Sequence, residues 1–247
     1  QRPSSFWLGW HSYWINPGEA GMKTTVEWKL PSGWETGGLG FPAPVRFITS
    51  DLAGFGYEGT ALFPVTVTPP ANFTGTARLT AVVSWLACGK VGRVPGKAEI
   101  HLDLTAGTLK PTPDSPEIRE AYRKLPRPAG NSPRLAVTEK GKTLFLSIKT
   151  ESGMALDFKD REFFPATPDV IDPRVPIRFV KNGGAWHSAQ FSIKTRKPRW
   201  NIAGPVNTGG PCFVMSLSAC TRRMVSSVFM ALVVRRVGAR AATGPCR

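Results

Sequence analysis

Up to Asn207 this sequence contains a single cysteine, Cys88; the other three, Cys212, Cys220 and Cys246, lie beyond that point. One thiol cannot close a disulfide, so the body of the chain must be held by its core and its hydrogen bonds rather than by covalent staples. Histidine is equally sparse. His11, His101 and His187 stand far apart, and no Cys/His group has the spacing of zinc ligands. Neither a metal nor another cofactor is expected. Long apolar runs are missing too: MVSSVFMALVV, in the C-terminal part, has eleven residues, against the roughly 20 that a membrane-spanning helix needs. Acidic side chains are absent from Thr208 onward, where six arginines (Arg222, Arg223, Arg235, Arg236, Arg240 and Arg247) remain.

What is present is the material of a folded β protein. Hydrophobic residues make up 41% of the 247 and charged ones 20%, which excludes a disordered chain. The 25 glycines and 23 prolines fall between short apolar runs, the pattern of an all-β chain with many turns. The length suits two domains. Net charge is +15, of which the six tail arginines leave 15 − 6 = +9 for the rest. Those cations are scattered among acids, without an RNA-binding aromatic motif or zinc-finger spacing, so nucleic acid is not the expected partner. No secretory leader is visible at Gln1, and the chain reads as a mature form or a fragment.

TTVEWKL (24–30) alternates: Val26, Trp28 and Leu30 face one way, and Thr25, Glu27 and Lys29 the other. VRFI (45–48), ALFPVTV (61–67), RLTAVVSWLAC (78–88) and EIHLDL (99–104) continue the pattern between Pro/Gly turns. Pro64 inside its run predicts an edge or bulged strand. The stretch 108–128 changes character. Asp114 or Ser115 can cap a helix near 116–125, Pro116 suits its first turn, and Pro126 ends it. Ile118, Ala121, Tyr122 and Leu125 form its apolar stripe. Alternation resumes in RLAVT (134–138), TLFLSIK (143–149), IRFVK (177–181) and AQFSIK (189–194), with hairpin turns at EKGK (139–142) and KNGG (181–184). Phe163 and Phe164, in a Pro-rich loop, are expected to cap a core. The fold class read from this is all-β: two immunoglobulin-like antiparallel β-sandwich domains joined by a short helix, with an irregular C-terminal tail. The boundaries expected are 1–108, 109–128 as linker, 129–207, and a basic tail at 208–247, disordered or aberrant and without a strand partner.

WLACGKVGRVPGKAEI (85–100) places Cys88 between an apolar strand and a glycine-rich basic loop, ahead of a Pro-Gly turn. Disulfide exchange needs one thiolate to attack and a second to resolve the mixed disulfide. Cys88 alone performs only the first step. Lys90 and Arg93 would favour its thiolate if they face it. The opposing reading is a small buried residue, since Val82, Ser84, Leu86 and Cys88 share one strand face. Trp10, Tyr13, Trp14, Trp28, Trp34 and Trp85 read mainly as core. His11 reads as a hydrogen-bonded turn residue, and Glu58 as turn chemistry.

Several of these stretches resemble one family. GWHSYWINPGEAGMKTTVEWKLPSGW (9–34), FGYEGTALFPVTVTPP (55–70) and WLACGKVGRVPGKAEIHLDL (85–104) are similar, in that order, to the N-terminal periplasmic region of DsbD-type thiol:disulfide interchange proteins and the related copper-sensitivity suppressors. KLPRP and FFPATPDVID resemble its second half, so the likeness runs over about 10–205. The resemblance implies immunoglobulin-like domains in the periplasm that dock thioredoxin-fold partners. It implies a transmembrane electron-transfer domain following this region. It also implies a Cys-x-x-x-Cys pair, of which Cys88 matches the first member. Gly92 stands at the second, and Pro95 comes one residue late. By this reading the chain is a protein-disulfide reductase domain reduced to one candidate catalytic thiol, or a truncated or frame-shifted copy. The alternative is a redox-silent immunoglobulin-like binding or scaffold module.

Overall fold

A computed structural model describes residues 9–90, 92–107, 111–126, 134–140, 143–149, 157–159, 161–182, 185–188, 191–192, 212–215 and 228–234. Eight strands come first: β1 (His11–Gly18), β2 (Thr25–Lys29), β3 (Glu35–Thr36), β4 (Val45–Thr49), β5 (Leu52–Glu58), β6 (Ala61–Thr68), β7 (Thr76–Gly89) and β8 (Gly92–Thr105). Helix α1 (Ser115–Arg123) follows. Then come β9 (Arg134–Lys140), β10 (Thr143–Lys149), β11 (Glu162–Pro165), β12 (Phe179–Asn182), β13 (Ala185–Ser188), β14 (Phe191–Ser192), β15 (Cys212–Met215) and β16 (Val228–Val234). The fold is all-β and immunoglobulin-like.

In the first half, β7 pairs with β8 on one side and with β2 and the start of β1 on the other; β1 continues to β5 and β5 to β4. A second sheet, β16-β6-β3, faces this one. Between them lie Trp14, Phe55, Tyr57 and Phe63, and next to these Trp34, Val65, Val67 and Leu79. The alternation read over 24–30 is real: Val26 and Trp28 are half-buried while Thr25, Glu27 and Lys29 are exposed. In this half the sequence reading missed β1, β3 and β5 and started β8 too late. His11, expected in a turn, begins β1. Pro95 and Gly96, expected as a turn, lie inside β8 opposite Leu86 and Trp85. The hairpin closes five residues earlier than the Pro-Gly pair suggests, at Gly89↔Gly92. Pro95 is tolerated because β8 pairs only with β7 among the described residues, which leaves an outer edge where no ladder donor is needed. Pro64 sits mid-sheet, yet the carbonyl of Pro64 accepts from Gly40 beyond the short β3. Its missing N–H therefore points to the side where the ladder has stopped.

The second half forms its own antiparallel sheet, with β10 central between β9 and the β13/β14 side. The closing pairs Lys140↔Thr143 and Asn182↔Ala185 lie one residue beyond the turns expected at 139–142 and 181–184. α1 packs on β6, with Ala121 buried and the Tyr122 hydroxyl 3.1 Å from that of Thr66. The halves also meet directly. Phe164, 1% exposed, enters the first core against Trp14 and Phe55. Asn16 donates to the carbonyls of Pro165 and Thr167 at 2.8 and 3.2 Å. Arg46 stacks on Phe55, pairs with Glu162 and donates to Pro173.

The tail departs from the expectation of an unpaired segment. Residues 212–215 pair in parallel with β11, and 228–234 pair with all of 61–67 in β6. The run that is too short for a membrane span is apolar and valine-rich, a composition that suits a strand. Cys220, Cys246 and most of the arginine-rich stretch lie outside the described residues. Among the described residues, no helix is long and apolar enough to cross a membrane.

Candidate functional site

Cys88 stands directly opposite His11 of β1 on one side and Arg93 of β8 on the other. Directly opposed residues share a sheet face, and so do residues two apart on a strand. His11, Tyr13 and Cys88 therefore occupy the face turned away from the Trp14 core. β5 shows how the sequence builds this face. In LAGFGYE, Phe55 and Tyr57 point into the core, while Gly54 and Gly56 present no side chain to the other face. The Phe47 ring occupies that space: a Cβ on Gly54 would stand 2.6 Å from Phe47 Cε2, and one on Gly56 would meet Phe47 and the Ser12 carbonyl. Phe47 thereby reaches His11, with ring centroids 3.6 Å apart.

Phe47 belongs to the β4–β5 hairpin, whose turn residues Ser50 and Asp51 have φ of 50° and 64°. Two positive-φ residues suit the tight turn that matches strand twist. The tip is held from the second half: Arg174 donates to the Asp51 carbonyl at 2.9 Å and pairs with Glu19 at 2.8 Å. Glu19 in turn accepts from the Ala53 amide at 2.9 Å.

Under this hairpin lies a cavity of about 110 Å³, lined by His11, Tyr13, Phe47, Cys88, Lys90 and Arg93 among others. Cys88 is 3% exposed. The expectation of an exposed family-like thiol is thus corrected: the hairpin covers the sulfur. The opposing reading had the burial right, and the cover comes from the site face rather than from the sandwich core. Lys90 and Arg93 do face the cavity. Tyr13 hydrogen-bonds Cys88, and burial together with that bond pushes its hydroxyl above the ordinary phenol range, so it stays protonated as a donor. His11 is 2% exposed, and burial lowers its pKa from 6.5 to about 4. Its Nε2 has no hydrogen-bond partner among the described residues.

The His11 shift makes stability depend on pH. Between pH 4 and 6.5 the unfolded chain binds the proton and the folded one does not, so stability is full above 6.5 and falls as pH drops toward 4. At about 1.4 kcal/mol per unit, the loss by pH 4 is roughly 3 kcal/mol. Denaturant titrations of the parent and of His11→Phe should differ by that amount in their change between pH 7 and pH 4. Equal changes would show that His11 titrates freely in the fold.

Gly92 closes the hairpin opposite Gly89 with φ 143°. The position facing Cys88 is Arg93. Sequence spacing pointed to Gly92, and only the register finds Arg93. Of the aromatic residues, Trp14 and Trp34 are core as expected, whereas Tyr13 belongs to the site. Glu58 is exposed at the end of β5. Among the described residues no three His, Cys, Asp or Glu side chains gather as metal ligands.

Residues 7–99 match the family described as thiol:disulfide interchange protein DsbD, N-terminal. Among solved structures, the chain is similar to the N-terminal periplasmic domain of ScsB from Proteus mirabilis, at 20% identity and a TM-score of 0.50, over 75% of this chain and 69% of that one. No curated protein matches. The match takes in β1, the β4–β5 hairpin and Cys88, so the site lies within the stretch that is similar to this family.

Proposed function

We propose that this chain is a periplasmic N-terminal domain of the thiol:disulfide interchange type that docks thioredoxin-fold partners and uses Cys88 as its one reactive thiol. The reading rests on the match of 7–99 and on one observation: Cys88 lies beneath a separate hairpin, on the sheet face opposite the core, with a hydroxyl donor and two cations beside it. A partner displaces the Phe47 hairpin to reach the sulfur. The Cys88 thiolate attacks the partner disulfide, a sulfur–sulfur bond forms, and the partner's other sulfur leaves as thiolate. Arg93 stands where a resolving thiol would be needed, so the domain stops at the mixed disulfide. A transmembrane electron-transfer domain is the source or sink of electrons in the intact architecture.

The test uses the full chain with Cys212, Cys220 and Cys246 replaced by serine, mixed with an oxidised thioredoxin-fold periplasmic protein. A one-to-one mixed disulfide should form and persist, and Cys88→Ser should abolish it, with no multiple turnover. The burial of Cys88 favours a second reading, a redox-silent immunoglobulin-like module. Reversible partner binding without any covalent adduct would decide for it.

A further inference from the structure

We propose that the cavity under the β4–β5 hairpin is an oxidation site for small hydroperoxides, in which Cys88 is converted to a sulfenic acid held by His11 and Tyr13. This goes beyond exchange with protein partners and does not depend on it. Three observations carry it. The cavity, about 110 Å³, suits a molecule the size of hydrogen peroxide and excludes a peptide disulfide unless the hairpin moves. Tyr13 donates to the sulfur. His11, fully buried and lining the same cavity, has an unpartnered Nε2, which is rare for a buried polar atom.

An oxygen on Sγ brings into this space an acceptor that the present arrangement lacks. His11 is neutral above about pH 4 and, in its Nε2–H tautomer, donates to that oxygen. In the reaction the sulfur attacks one peroxide oxygen, the S–O bond forms and the O–O bond breaks. Sulfur loses two electrons, and the leaving oxygen takes the thiol proton. In sum, Cys88–SH and ROOH give Cys88–SOH and ROH. Arg93 and Lys90 line the same cavity and place positive charge near the leaving oxyanion. Arg93, not a second thiol, stands opposite, so the sulfenic acid has no thiol to condense with across the hairpin. An external thiol that enters when the hairpin opens releases water and forms a mixed disulfide.

The experiment treats the full chain carrying the three tail serines with hydrogen peroxide, and traps the product with dimedone for intact-mass detection. A Cys88 adduct should form faster in the folded chain than in denaturant. His11→Phe, which keeps a ring stacked on Phe47, should slow it by about a hundredfold, the lower end of the loss seen on removing one donor to a developing oxyanion. Tyr13→Phe, which removes only the hydroxyl, should also slow it and serves if the first variant does not fold. A rate in the folded chain no higher than in denaturant, or variants as fast as the parent, would overturn the proposal. Failure of the partner mixed disulfide alongside normal dimedone trapping would count against the exchange reading alone.

Discussion

Replacing Phe164 by alanine is expected to destabilise the whole protein by about 3–5 kcal/mol, the usual cost of emptying a phenylalanine site in a core. Phe164 comes from the second half, but its ring is 5.3 Å from that of Phe55 and 6.4 Å from that of Trp14, in the sandwich of the first. Its loss also takes away a face on which the Arg46 guanidinium rests, 5.7 Å from the ring centre. Arg46 pairs with Glu162 two residues before Phe164, so the cavity and the ion pair weaken together. The expected result is a single denaturant transition at lower midpoint, followed alike by far-ultraviolet circular dichroism and by tryptophan fluorescence, since Trp14 reports on the first half. Two separated transitions, with the first-half signal unmoved, would show that the 162–165 strand is only laid against the sandwich. The site should respond as well. The segment that carries Phe164 also carries Arg174, which holds Asp51 at the tip of the covering hairpin. Phe164→Ala should therefore speed the labelling of Cys88 by a thiol reagent, even under conditions where the protein stays folded.

How much of this was legible differs from strand to strand, for physical reasons. β2 alternates apolar with polar residues because its apolar face is half-buried and its polar face is exposed; β10 alternates too, with Leu146 and Ile148 buried and Phe145 and Ser147 less so. β5 also alternates, but between aromatic residues and glycine: its second face meets Phe47 instead of water, so the usual polar signal is replaced by absent side chains. β1 carries Asn16, Pro17 and Gly18, three turn-formers, and reads as a turn. Asn16 is tied there by contacts with Pro165 and Thr167, about 150 residues away, which no local pattern reports. Cys88 was found by its neighbourhood and by the resemblance. Its burial stood only as the opposing reading, because the cover is a hairpin from residues 45–58 pinned by Arg174. The site's other members, His11, Tyr13 and Phe47, come from strands whose pairing the sequence leaves open.

The largest functional change should come from a second cysteine, and register decides where it must go. Gly92, the position suggested by Cys-x-x-x-Cys spacing, is opposite Gly89 and diagonal to Cys88. Its φ of 143° is one that residues with a Cβ rarely adopt, so Gly92→Cys adds backbone strain of about 1–3 kcal/mol. Arg93 is the direct partner of Cys88. Two residues separate Gly89 from Gly92, so that pair closes the hairpin with hydrogen bonds and the next pair, Cys88↔Arg93, is of the non-hydrogen-bonded kind. Such pairs have Cα atoms about 4.5 Å apart and side chains on one face, inside the roughly 4.4–6.8 Å window of a disulfide. With the tail cysteines replaced by serine, Arg93→Cys should form an intramolecular disulfide on mild oxidation. It should also convert a domain that stalls at one mixed disulfide per chain into one that turns over many equivalents of partner. Gly92→Cys should oxidise poorly and turn over at least tenfold more slowly than Arg93→Cys. The comparison uses free-thiol counts after oxidation and a coupled partner-reduction assay. Efficient turnover by Gly92→Cys with none by Arg93→Cys would mean that the 88–93 register is wrong. Turnover by neither, with the 88–93 disulfide formed, would mean that the Phe47 hairpin does not open to partners and that the redox-silent reading holds.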